Sequence, residues 1–201
     1  PRRSPAEGMI AQALVGIEGV SLVHYGSISV DADALDLAGD VTTDLTGDAY
    51  AGFAAFLESV RGLESPPETV KWQFVGPLTL AFALARSGLV TEVAAPLAMQ
   101  AVRCHVRALQ AEVAAVLPRA TQMVVFDEPL LHDALVPGFR VPADEVIDFV
   151  SGALAAVEPG NIAGLHSCGE TDWSALLATG ANIISVPVDR KSTRLNSSHT
   201  D

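Results

Sequence analysis

Residues 164–173 read G-L-H-S-C-G-E-T-D-W, and the fold class can be inferred outward from them. An apolar run at 162–165 leads into this stretch and a helix-start signal at Asp172 follows, which predicts a buried strand that passes into a helix. Side chains two residues apart on a strand face the same way, so His166 and Cys168 can direct an imidazole and a thiolate to one point. Two such side chains suit a zinc site; the alternative is a histidine and a small cysteine that only pack.

The same succession recurs along the chain. Apolar or β-rich runs predict strands at 20–30 (with a bend at Gly26), 70–75, 122–126, 162–165 and 182–186. Apolar stripes and capping signals predict helices at 5–17, 49–63, 78–85, 90–117 (broken near Pro96), 143–157 and 172–178. Uniformly apolar strands that alternate with helices indicate a parallel sheet with helices outside.

The chemically suggestive motifs all follow predicted strands: Gly76-Pro77, Asp127-Glu128 and His166-Ser167-Cys168. A β/α barrel builds its site at the carboxyl ends of its strands. An open doubly wound sheet also binds ligands there, but the chain has neither G-x-G-x-x-G nor a phosphate loop. We therefore expect an α/β protein with a TIM (β/α)8 barrel over residues 1–188. Because the chain lacks an initiator methionine and changes in composition after Val188, we expect this barrel to be partial and truncated at both ends.

The last residues, 189–201, differ in composition from the rest. They begin D-R-K-S-T-R-L-N-S-S-H, a polar run without helical or strand periodicity. Back-translated, this string resembles a common high-throughput sequencing adapter. We expect native sequence to stop at Val188 and 189–201 to be adapter read-through; the alternative is an ordinary polar tail.

Charge and composition limit the partners. The net charge of −12 argues against nucleic acid and anionic membranes. Hydrophobic residues make up 49% of the chain, but no apolar segment of membrane-spanning length lacks a charge, Gly or Pro. Two cysteines do not make a disulfide framework, so a reducing cytoplasm is the expected location.

Several polar side chains are candidates for the site. Asp127 and Glu128 follow a strand and point to opposite sides; a carboxylate there can bind an ammonium, hold a metal, act as acid or base, or brace a helix or loop. Thr79 can cap a helix or donate its hydroxyl to a ligand. Alternation places Lys71 with Gln73 and Val75, either inward or at the rim.

Cys104 and His105 are neighbours on a predicted helix and point about 100° apart, so they do not share a face. We expect Cys104 in the core and His105 on the surface.

Three motifs together resemble the β/α barrels of cobalamin-independent methionine synthase and uroporphyrinogen decarboxylase. Residues 76–80, G-P-L-T-L, resemble the G-P-x-T segment of that superfamily. Residues 125–131, V-F-D-E-P-L-L, resemble the D-E-P-A-L strand end of methionine synthases. Residues 165–169, L-H-S-C-G, followed by L-A-T-G-A-N-I-I-S-V at 177–186, resemble the zinc-binding H-x-C strand and the strand after it.

The resemblance implies a zinc-dependent methyltransferase in which His166 and Cys168 bind Zn²⁺. Asp127 would hold the amino group of a small thiol such as homocysteine, with Glu128 and Thr79 as further candidate substrate contacts. A methyl-folate or methyl-corrinoid would donate the methyl group. Gly169 after the cysteine is closer to corrinoid-linked methyltransferases, and 185–188 offer no carboxylate ligand, so the third zinc ligand is expected beyond this chain.

Two other functions stay open. One is a lyase similar to uroporphyrinogen decarboxylase, which needs no metal and binds substrate carboxylates through arginines such as Arg2 and Arg3. The net charge of −12 argues against a polyanionic substrate. The other is a non-catalytic barrel that binds a small molecule. Zinc content distinguishes the methyltransferase from both.

Overall fold

A computed structural model describes residues 8–23, 26–36, 41–169 and 171–187. Its α-helices are α1 (Met9–Leu14), α2 (Ala51–Arg61), α3 (Pro77–Arg86), α4 (Thr91–Val116), α5 (Leu131–Ala134), α6 (Ala143–Leu154) and α7 (Trp173–Ala178). Its strands are β1 (Val20–Leu22), β2 (Ile28–Val30), β3 (Thr69–Val75), β4 (Thr121–Asp127), β5 (Ile162–His166) and β6 (Ile183–Ser185). A 3₁₀ turn, Asp48–Tyr50, precedes α2.

Strands β3 to β6 form one parallel sheet whose spatial order, β3-β4-β5-β6, is also their order in the chain. Helices α3 and α4 connect β3 to β4, α5 and α6 connect β4 to β5, and α7 connects β5 to β6. This confirms the prediction of an α/β fold with a parallel sheet.

One face of the sheet is the main hydrophobic core. Alternate residues of its strands are buried among side chains of α3, α4 and α6, and they include Phe74, Val124, Phe126 and Leu165. Val70, at the start of β3, belongs to a second, smaller cluster with Leu57, Val113 and Leu117. Because a strand alternates, this packing leaves the intervening residues together on the opposite face. That opposite face carries most of the polar groups discussed below.

Two asparagines fasten the amino-terminal edge of the sheet. Asn161 precedes β5, and its side-chain oxygen accepts the backbone N–H of Gln122 on β4 at 2.9 Å. Asn182 precedes β6, and its oxygen accepts the N–H of Ala163 on β5, also at 2.9 Å. Each asparagine thereby ties the strand that it begins to the preceding strand.

Some element boundaries differ from the predictions. The 20–30 segment is an antiparallel hairpin of β1 and β2 rather than one bent strand. The predicted break near Pro96 is wrong, because α4 continues through this proline. A proline removes one helical hydrogen bond, but α4 packs along α3 and the sheet, and that packing keeps the helix continuous.

The predicted surface position of His105 is also wrong, whereas Cys104 packs against the main core as expected. His105 is completely buried, whereas Cys104 is only partly buried. The His105 ring lies edge-on to Tyr50 and Phe74, and its Nδ1 is 2.8 Å from Thr43 Oγ1. Two aromatic rings and one hydroxyl group therefore surround the His105 side chain, which was expected to face solvent.

Burial lowers the pKa of His105 to about 4, although the backbone carbonyls of Ala13 and Val15 partly oppose the shift. The histidine is consequently neutral near neutral pH.

Some sequence predictions lie outside the described residues, namely those on Arg2, Arg3 and residues 189–201. Among the described residues, no helix is both long and apolar enough to cross a bilayer.

Candidate metal and substrate site

The candidate site begins with one row of residues at the carboxyl edge of the sheet. Val75 pairs in register with Asp127, Asp127 with His166, and His166 with Ser185. In-register neighbours of parallel strands project to the same face, and adjacent strands are about 4.8 Å apart. The two predicted site residues Asp127 and His166 therefore lie side by side.

The structure brings the His166 and Cys168 side chains together: His166 Nε2 is 3.1 Å from Cys168 Sγ. On its other side, His166 Nδ1 is 3.1 Å from both the backbone oxygen and the hydroxyl of Ser185. A carbonyl oxygen only accepts hydrogen bonds, so Nδ1 must carry the proton for that contact. In the neutral ring Nε2 then presents its lone pair toward Cys168, which is the tautomer that a metal-binding histidine needs.

This pair fits zinc in its chemistry and nearly in its spacing. A tetrahedral zinc about 2.3 Å from sulfur and about 2.0 Å from nitrogen sets these ligand atoms about 3.5 Å apart. The observed 3.1 Å is slightly shorter, and the exposed Cys168 side chain has room to rotate outward. Among the described residues, no group of three or more His, Cys, Asp and Glu side chains could hold a metal. His166 and Cys168 are thus two candidate ligands in the described part of the chain.

Asp127 is buried and held by one neutral neighbour. The amide nitrogen of Gln73 donates to both carboxylate oxygens, at 2.7 and 3.0 Å. The amide oxygen of Gln73 in turn accepts a hydrogen bond from the Lys71 ammonium. Asp127 is only 6% exposed, whereas Lys71 and Gln73 are exposed on β3. The three side chains form a continuous polar line along one face of the sheet.

Glu128 points to the opposite face, as the strand alternation predicted. One carboxylate oxygen accepts the Leu78 N–H at 2.8 Å, and the other accepts the Thr79 N–H at 2.8 Å and the Thr79 hydroxyl at 2.6 Å. The two N–H groups belong to the first turn of α3, where backbone donors have no partner within the helix, and Pro77 begins that helix. The contacts give Glu128 and Thr79 a structural role in closing this helix end. Substrate binding by either residue stays a prediction.

The pKa of Glu128 is raised to about 7 by its complete burial, with a smaller contribution from the charge of Asp127. The three donors from Leu78 and Thr79 oppose this shift but do not overcome it. A protonated carboxyl can still use Thr79, because a hydroxyl accepts a hydrogen bond as well as it donates one. The helix end is therefore hydrogen-bonded in both states of Glu128.

His132 lies against the H-S-C-G turn. A Cβ built on Gly169 would come within 2.0 Å of the ring carbon Cγ of His132. The ring is oriented by Pro129, whose carbonyl oxygen is 3.1 Å from Nδ1, and by Asp133, whose Oδ1 is 3.0 Å from Nε2. Gly169 thus allows His132 to pack one residue away from Cys168.

Two residues of the site were not singled out from the sequence, Gln73 and Ser185. Strand alternation placed Gln73 on the same side as Lys71, but its partner Asp127 is 54 residues away. Ser185 contacts His166 only because β5 and β6 pair in register. Both contacts depend on the register of the parallel strands, and this register could not be read from the sequence.

Comparison of the chain with models of known protein families gave no match, and neither did comparison with curated proteins.

Proposed function

We propose that the chain belongs to a zinc-dependent methyltransferase that moves a methyl group from a folate or corrinoid donor to a small thiol such as homocysteine. The observation that carries this proposal is the 3.1 Å approach of His166 Nε2 to Cys168 Sγ, beside the buried carboxylate of Asp127. An imidazole, a thiolate and a carboxylate at one sheet edge suit a metal-bound acceptor that also carries an ammonium group.

Each residue has a defined task in this proposal. His166 and Cys168 hold the metal, and the Ser185 carbonyl oxygen keeps Nε2 of His166 free by accepting a hydrogen bond from Nδ1–H. Bound zinc would supply the positive charge that keeps the acceptor thiol in its thiolate form at neutral pH. Asp127 accepts hydrogen bonds from the ammonium group of the acceptor, which orients its sulfur toward the methyl donor.

The order of the strands supports a barrel as the larger architecture. In β3-β4-β5-β6 each new strand is added on the same side of the last, without a reversal. A β/α barrel grows in this way, whereas a doubly wound sheet reverses its order at the point where ligands bind. The candidate site also lies at the carboxyl ends of the strands, as in barrel enzymes.

Metal binding is the first test. The protein is dialysed against Zn²⁺, or against Co²⁺ as a coloured substitute, and bound metal is measured by elemental analysis and by thiolate-to-cobalt absorption. We expect stoichiometric metal that Cys168→Ser and His166→Ala both abolish. The matched control is Cys104→Ser, which changes the other cysteine, on α4, and should leave both signals intact.

Methyl transfer is the second test. Zinc-loaded protein is incubated with homocysteine and either methyl-folate or methylcobalamin, and the thioether product is followed by mass spectrometry. Product that depends on Cys168 supports the proposal. If the wild type binds no more metal than Cys168→Ser does, the proposed methyltransferase function is overturned. The metal-free lyase and the non-catalytic binding barrel then remain as the alternatives.

A further inference from the structure

We propose that Gln73 is a positioning residue for Asp127, fixed in its orientation by Lys71, and that this pair makes the site selective for thiols that carry an ammonium group. The inference rests on the proposed function, because it names what selects the acceptor. It does not follow from the motifs at 76–80, 125–131 and 165–169, because neither residue lies within them.

The first step is the orientation of the Gln73 amide. An ammonium only donates hydrogen bonds, and an ionised carboxylate only accepts them. Gln73 lies between these two groups, so a single orientation satisfies both, with its oxygen toward Lys71 and its nitrogen toward Asp127. Lys71 therefore prevents the rotation of the amide that would set oxygen against oxygen at Asp127.

The second step is the charge that remains on Asp127. Gln73 donates to both carboxylate oxygens but brings no positive charge of its own. In the part of the chain that the structure describes, no lysine, arginine or histidine forms an ion pair with Asp127. A buried carboxylate without a counter-charge is poorly solvated, so a cationic ligand gains more there than at an exposed carboxylate.

The third step is the place beside Asp127 at which an ammonium group can bind. Gln73 occupies the side of Asp127 nearer the start of the strands, since its in-register partner on β4 is Val125, two residues before Asp127. On the adjacent strand Asp127 faces His166, the metal-ligand candidate. The remaining acceptor sites of Asp127 are therefore available to an ammonium group on a molecule whose sulfur lies at His166 and Cys168.

The experiment compares two ligands that differ only in the ammonium group, homocysteine and its deamino analogue mercaptobutyrate. Their affinities for the zinc-loaded protein are measured by calorimetry in the wild type and in Gln73→Met, which keeps the side-chain length but removes the donor. We expect homocysteine to bind about tenfold more weakly to the variant, because the Asp127 carboxylate loses the two hydrogen bonds that hold it in one orientation toward the ammonium group. Mercaptobutyrate should bind within about twofold of its wild-type affinity.

Two further variants sharpen the comparison. Lys71→Met should weaken homocysteine binding by about threefold, since the amide is then free to rotate, and should spare mercaptobutyrate. Gln12→Met is the matched control, because Gln12 lines the same pocket as Gln73 but donates its amide to the Ala49 carbonyl oxygen. It should change neither affinity.

The outcomes separate this inference from the proposed function. A wild type that binds zinc and both thiols, with Gln73→Met weakening both ligands equally or neither, overturns the inference alone. A wild type that binds neither zinc nor thiol overturns the proposed function and the selectivity with it.

The orientation of Gln73 has a readout that needs no ligand. Its side-chain amide protons should exchange slowly with solvent in metal-free wild-type protein, and exchange should become about tenfold faster in Lys71→Met. Equal exchange rates would overturn the role of Lys71.

Discussion

The carboxyl group of Glu128 occupies the space beside Gly76 that a larger residue would need. A Cβ built on Gly76 would lie 2.2 Å from the Glu128 carboxyl carbon. The same carboxylate closes the first turn of α3, so the G-P-x-T and D-E-P segments form one structural unit. The first requirement at position 76 is therefore the absence of a side chain rather than an unusual backbone conformation, since φ of Gly76 is −79°.

We expect Gly76→Ala to lower the free energy of unfolding by about 1–3 kcal/mol, because the added methyl group overlaps a buried and fixed carboxylate. Chemical denaturation followed by circular dichroism measures this change. Gly52→Ala is the control, since Gly52 lies within α2 and nothing is within 4 Å of its missing Cβ. It should raise stability by about 0.5–1 kcal/mol through helix propensity. Equal effects of the two substitutions would contradict the steric explanation.

Two buried groups should make opposite contributions to the pH dependence of stability. The pKa of Glu128 rises from 4.5 to about 7 on folding, so between these values the folded state binds the extra proton and stability falls as pH rises. The pKa of His105 falls from 6.5 to about 4, so the unfolded state binds the extra proton and stability rises with pH. Each slope is about 1.4 kcal/mol per pH unit. The two contributions should largely cancel between pH 4.5 and 6.5.

Single substitutions should reveal each slope. In Glu128→Gln the His105 contribution remains, and the free energy of unfolding should rise by about 1.4 kcal/mol per pH unit across that window. In His105→Asn the Glu128 contribution remains, and stability should fall at a similar rate. Urea denaturation at several pH values measures the slopes, which do not depend on the overall stability lost by each variant. Parallel curves for both variants and the wild type would refute the prediction.

Gly169→Ala should be destabilising because its methyl group would overlap the His132 ring. We expect a loss of about 1–3 kcal/mol in the free energy of unfolding. Removing the ring should relieve the overlap, so the double variant Gly169→Ala/His132→Ala should be more stable than the sum of the single changes predicts. A double-mutant cycle measures this coupling, and additive effects would show that the contact is unimportant.

Cys168 should react with iodoacetamide about tenfold faster than Cys104, because Cys168 is exposed and Cys104 is partly buried on α4. Added Zn²⁺ should slow the reaction of Cys168 alone, and a chelator should restore it, if His166 and Cys168 bind the metal together. Peptide mass spectrometry after timed quenching reports each cysteine separately. Protection of both cysteines, or of neither, would argue against a metal at this pair.

The sequence predicted the parallel sheet well because each of its strands is a short apolar run that ends in a turn or polar signal. The ends of β4 and β5 were predicted within one residue, which placed Asp127 and His166 at the sheet edge. The His166–Cys168 contact followed from alternation alone, since both residues belong to one local segment. Local periodicity was sufficient for these features.

Long-range packing explains the failures. His105 was expected at the surface because it points about 100° away from Cys104 on the helix, but Thr43, 62 residues away, gives it a buried partner. Pro96 was expected to break α4, whereas packing on α3 keeps that helix continuous. The Gln73–Asp127 contact depends on the register between two strands. Neither composition nor periodicity contains this information.

The closure of α3 by Glu128 has a consequence for the order of folding. Gly76 at the start of α3 has no side chain that could cap the helix. The backbone N–H groups of the first turn are capped instead by Glu128, 50 residues after Leu78 in the chain. The first turn of α3 can gain this cap only after α4 has brought the chain back to the sheet and β4 has paired with β3. Formation of this helix end is thus a late, cooperative event, and substitutions at Glu128 should act mainly on the rate of unfolding.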